Sequence, residues 1–171
     1  MTQITFKQLK KLSKADASAL PQYKIAVMGD CATQHLATAL RGYGIHMGLG
    51  LTVLDTDYNQ IDAQVMDAAS ELYSFAPNAV LIQMCTEKLY EAFCAAPLNC
   101  RSTFAEDTYS RITRIWQQMN GQIRTTILQC NFPLMDDGAF GQYGSKTADS
   151  FLFQQRKLNF LLMQGCQEVK N

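Results

Sequence analysis

Cys31 stands two residues beyond an apolar run, in KIAVMGDCATQHLATAL (24–40). The run reads as a strand that ends in a Gly29-Asp30 turn, with a helix starting at once behind it. In an open α/β sheet that position lies at the carboxyl edge of the strands, where backbone donors and ligands meet. A thiol there is a candidate nucleophile, because a helix N-terminus lowers its pKa and supplies N–H groups that bind an anion. The thiolate is intrinsically a strong nucleophile, but its activation requires a base within hydrogen-bonding reach. His35, four residues on, shares a helical face with Cys31. The plainer alternative makes Cys31 a small side chain filling a tight turn and points His35 along the outside of its helix.

A second polar group, Asp57, Tyr58, Asn59 and Gln60, follows the apolar run LTVLD (51–55). Polar side chains at a strand's carboxyl end line the crevice beside the first strand's turn. Thr86, Glu87 and Asn131 follow two further apolar runs and border the same edge. Gly29, Asp30 and Thr33 complete the candidate ligand-binding set, although Asp and Thr before a helix more often accept from its free amides. Glu87 also suits the first turn of a helix on charge alone. His46, in RGYGIHMGLG, reads as a solvated loop histidine. No Gly-x-Gly-x-x-Gly or Walker sequence supports a nicotinamide, flavin or nucleotide site. Two histidines and no Cys-x-x-Cys pair argue against zinc. Met28, Met84, Met119 and Trp116 read as core.

These residues need elements to hold them. Residues 24–29 are expected to form the first strand and 32–41 a helix closed by Gly42 or Gly44. Residues 51–55 form the second strand, 61–74 one or two helical turns, and AVLIQM (79–84) a third strand. Its unbroken apolar run suits a parallel strand covered on both faces. Thr86 is placed to cap a helix over 87–94, and Thr103 with Glu106 forms a capping-box pattern. The long helix behind it stops at Gly121, and IRTTILQC (123–130) is the fourth strand. Residues 131–149 form a long irregular loop of the kind that often carries function. Ser150 then caps a last helix reaching about Gly165. Strands alternating with helices predict a doubly wound parallel sheet. Residues 1–20 form an N-terminal amphipathic extension, its amphipathic segment over 5–20 carrying Phe6, Leu9 and Leu12 on one side.

The chain has 171 residues, 47% hydrophobic and 18% charged, which suits one folded domain with a sizeable core. Fifteen basic and fifteen acidic side chains balance to +0, so no positive field gathers nucleic acid or an anionic membrane. The same neutrality leaves homo-oligomer formation open. The N-terminus lacks the apolar core of a signal peptide. The cysteines in or beside apolar elements behave as small hydrophobes. Together these features predict a cytoplasmic protein with reduced thiols.

The runs GDCATQHLATALRGYG, LDTDYNQIDAQVMD, SELYSFAPNAVLIQMCTEKL, NFPLMDDGAFGQYGS and QQRKLNFLLM, over about residues 20–165, resemble the amino-terminal domain of FkbH-like proteins. That domain is itself similar to the SGNH (GDSL-like) hydrolases. The resemblance implies a flavodoxin-like, three-layer α/β/α fold over 21–171, lacking its last strand and helix, as if cut from a longer protein. It implies a following haloacid-dehalogenase-like domain that loads a glyceryl unit onto an acyl carrier protein with Mg²⁺. No cofactor is expected in the present stretch, and Asp55-Thr56-Asp57 does not take the Asp-x-Asp role of that domain.

Cys31 occupies the position of the SGNH serine. Asn59 and Asn131 become candidate oxyanion donors, although neither lies in a Gly-x-Asn-Asp motif. The terminal Asp-x-x-His block is missing. The expected function is a module that recognises or positions an acyl carrier protein or the missing phosphatase-like domain. Arg111, Arg114 and Arg124 give only a hint of a basic docking patch. The alternative is an ester or thioester hydrolase or acyltransferase with Cys31 as nucleophile.

Overall fold

A computed structural model describes residues 4–169. Its strands are β1 (Gln22–Gly29), β2 (Gly50–Asp55), β3 (Ala79–Gln83) and β4 (Thr126–Gln129). All the pairings are parallel, in the order β2-β1-β3-β4. The helices are α1 (Phe6–Leu12), α2 (Gln34–His46), α3 (Ile61–Met66), α4 (Glu71–Phe75), α5 (Thr86–Ala95), α6 (Phe104–Gln122) and α7 (Phe151–Glu168). Strand order and helical connections place the chain in the three-layer α/β/α class. The chain forms two compact units. One comprises the described residues up to Gln83 with Met119–Gln129; the other comprises Met84–Gln118 with the described residues from Cys130 onward.

The first unit holds the sheet. Gly29 of β1 is level with Gln83 of β3, and Val27 is level with Asp55 of β2, so the strands end close together. Val27, Ala37 and Val53 form a buried cluster between the sheet and α2, with Leu36, Leu40 and Leu51 packed against it. β2 is an edge strand, and Arg41 of α2 donates to its Val53 carbonyl at 2.8 Å, satisfying an acceptor that no strand reaches.

Two glycines expected to stop α2 lie inside it. A Cβ at Gly42 would collide with the main chain of Leu9, and one at Gly44 would lie 2.5 Å from the Leu51 side chain. They let α1 and β2 approach closely, and the helix ends only where Gly48 takes φ +78°. His46 is therefore the last helical residue, not part of a loop. The N-terminal extension is anchored: Thr5 and Gln8 form a capping box on α1, which packs on α2.

Gly121 is likewise helical and exposed. Because Ile123 N still bonds back to Met119 O, β4 begins only where Thr126 N meets Asn78 O, three residues later than expected.

In the second unit, Phe93 packs edge-on to Phe104 at 5.3 Å between ring centroids, and Tyr90 to Phe151 at 4.9 Å. Ser150 caps α7 as expected, accepting from Phe153 N at 3.1 Å. Gln154, fully buried, accepts from Ala105 N and donates to Ser102 O and Ala148 O. Its carboxamide ties the start of α6 to the start of α7.

Candidate site at the strand ends

In the first unit, the residues after β2 fold back over the end of β1. Thr56 donates to Val27 O through both its N–H, at 3.1 Å, and its hydroxyl, at 3.3 Å. Asn59 N donates to Gly29 O at 3.1 Å, with Asn59 in the left-handed region at φ 61°. Asn tolerates that conformation better than most residues, which is why it suits this tight return. The Asp57–Gln60 cluster is thereby held beside the Gly29–Cys31 turn. Asp57, Tyr58, Asn59 and Gln60 are exposed, while Asp30 and Cys31 are half-buried.

Gly29 is required here. A Cβ would lie 2.6 Å from Thr33 Cγ2 and 3.2 Å from Gln83 O. Thr33 is buried, but its hydroxyl does not cap α2. It donates to Asp55 Oδ1 at 2.6 Å, joining the start of α2 to the end of β2. This corrects the capping expectation, and the cause is tertiary: a carboxylate from the neighbouring strand is the better acceptor. Asp55 was not foreseen as a site residue; its only signal was its place at the end of an apolar strand.

His35 is exposed, and its ring packs edge-on against Phe6 at 5.4 Å. That contact holds the imidazole against α1 on the helix's outer side. His46 lies 5.9 Å from the Tyr43 ring. Among the described residues, no group of three or more His, Cys, Asp and Glu could hold a metal ion. No described helix is long and apolar enough to cross a membrane.

The second unit holds Thr86, Glu87 and Asn131. Thr86 is not the cap of α5 but its first residue, and Cys85 stands at the N-cap. The buried Thr86 hydroxyl donates to Pro133 O at 2.9 Å. Asn131 is exposed, directly before Phe132, which is only 3% exposed. The Phe132–Met135 main chain is bonded to amide side chains of α7: Phe132 to Asn159, and Pro133 and Met135 to Gln155. Sequence reasoning missed both amides, although QQRKLNFLLM contains them. Burial pushes the Cys130 thiol up from its ordinary pKa, so it is protonated at neutral pH.

The family model described as FkbH, N-terminal domain, matches residues 24–171. Among curated proteins, none matches. Among solved structures, the chain is similar to the N-terminal part of the protein BF1531 from Bacteroides fragilis, described as containing a phosphatase domain and complexed with Mg. The two share 35% identity with a TM-score of 0.89, over 97% of this chain and 43% of that one. The present chain thus spans less than half the length of that relative.

Proposed function

The chain belongs to the FkbH N-terminal domain family, and from that premise we propose that it is a recognition module. It positions an acyl carrier protein for a phosphatase-like domain of the kind its solved relative contains. The carrier's phosphopantetheine arm is received at the carboxyl edge of the first unit's sheet, where Gly29, Asp30, Cys31 and Thr33 adjoin Asp57, Tyr58, Asn59 and Gln60. Thr86 and Asn131 are proposed as polar groups of the second unit, Thr86 acting through its bond to Pro133. The observation that carries the reading is the likeness to a longer chain with a phosphatase domain, over 97% of the present one.

The competing reading is an ester or thioester hydrolase or acyltransferase in which Cys31 forms an acyl intermediate and Asn59 or Asn131 stabilises the oxyanion. The packing of His35 on Phe6 counts against a Cys31–His35 dyad.

Intact-mass analysis after mixing with an acyl thioester separates the two readings. The module reading expects no acyl adduct on Cys31, and unchanged carrier binding in Cys31→Ala. An adduct confined to Cys31, with thioester turnover abolished by C31A and the fold intact, would establish the hydrolase instead.

A further inference from the structure

A parallel ladder turns alternate residues toward alternate neighbours. In β2, Gly50 N donates to Pro21 O and the ladder closes with Thr56 N on Val27 O, so the even-numbered residues face β1. Leu51, Val53 and Asp55 therefore turn their N–H and C=O groups to the outer edge, where no strand follows among the described residues. An edge of this kind is a template for another strand. Here its middle is occupied by a side chain. Half-buried Arg41 of α2 reaches the edge and donates from Nη2 to Val53 O at 2.8 Å.

A strand that paired with β2 would first have to displace that guanidinium. The group is charged throughout the ordinary pH range, and it would lose water as the edge closed. Two copies pairing β2 to β2 about a two-fold axis would bring both guanidinium groups into one seam, adding like-charge repulsion. Net charge offers no such protection. Fifteen basic and fifteen acidic side chains cancel, so two copies approach without long-range repulsion. We propose that Arg41 is an edge guard, and that the strand it excludes is β2 of a second copy of this chain. Its hydrogen bond fills the acceptor that a partner strand needs, and its charge makes the seam costly. The guard needs no ligand, so it stands independently of the carrier reading.

The test compares the wild-type chain with Arg41→Met, which keeps an unbranched apolar stem and removes the donor and the charge. Sedimentation velocity over a concentration series reads association, and hydrogen exchange at the Leu51 and Val53 amides reads pairing at the edge. Arg41→Met is expected to self-associate roughly tenfold more strongly than wild type, the worth of one or two hydrogen bonds gained. Protection at Leu51 and Val53 rises with concentration in the variant only. Adding Thr52→Lys, at an exposed position of the same strand, restores wild-type behaviour, because a lysine on an edge strand discourages pairing. Arg41→Gln also removes the charge, and it takes the place of Arg41→Met if that variant does not fold.

Association equal to wild type in the folded variant would overturn the proposal. So would association without protection at Leu51 and Val53, or association that Thr52→Lys leaves unchanged, since the contact would then lie elsewhere. Concentration-dependent protection of the same amides in the wild type would overturn it too, because the edge would pair with Arg41 in place.

Discussion

Gly29 is the position at which the candidate site is least tolerant of change. A methyl group there meets Thr33 Cγ2 and the Gln83 carbonyl, so Gly29→Ala should cost about 1–3 kcal/mol in denaturant unfolding. Thr33→Val keeps the shape of the side chain but removes the hydroxyl that Asp55 accepts. A loss of about 1–3 kcal/mol is expected for the carboxylate left without this donor. A stability equal to wild type would show that Thr33 only fills space. The thiols should separate by environment when labelled at neutral pH. Cys94, Cys100 and Cys166 are exposed and react first, whereas Cys130, its pKa raised by burial, reacts last. At this scale the Gly-Asp-Cys turn was legible, because turn chemistry is local. The Thr33–Asp55 bond was not, since its partners are 22 residues apart and meet only through the β1–β2 register.

Among the elements, α2 shows where punctuation misleads. Gly42 and Gly44 look like stop signals, yet they are contact points where α1 and β2 pass close to the helix. The true stop, Gly48, adopts positive φ and stands in open space, where a Cβ would meet nothing within 4 Å. Ala76 takes a left-handed conformation at the end of α4, with φ 50°, where an alanine Cβ is strained. Ala76→Gly should therefore raise stability by about 0.5–1 kcal/mol, measured by thermal or denaturant unfolding. Between α6 and α7, burial raises the Glu106 carboxyl, but its hydrogen bond and ion pair with Lys157 outweigh that and lower it overall. A lowered folded pKa makes this contribution complete above the unfolded value of about 4.3 and lost as pH falls through the folded one. With both partners partly exposed, the contribution is under about 1 kcal/mol and weakens with salt. Lys157→Met should accordingly flatten the acid limb of the stability profile slightly. The clamp of Asn159 and Gln155 could not be read from a helical wheel, which ranks residues by hydrophobicity and treats a buried amide as out of place.

For the whole chain, the parallel α/β class was legible because each strand pattern was followed by a helical one and the third strand is apolar almost throughout. Connection order does not determine which strands lie side by side, and the order β2-β1-β3-β4 emerges only from the pairings. The zero formal charge and sequence pI near 6.7 also act at this scale. Self-association, followed by light scattering, should be strongest near that pH and fall on either side as charge accumulates. The central claim is that the carboxyl edge of the first unit meets the arm of a carrier protein. Its most direct test is a nitrogen-15 NMR titration of the chain with holo and apo acyl carrier protein. Shifts at Gly29–Ala32 and Asp57–Gln60 that appear with the holo form and vanish with the apo form are predicted. Identical responses to both forms, or none at these residues, would contradict the account.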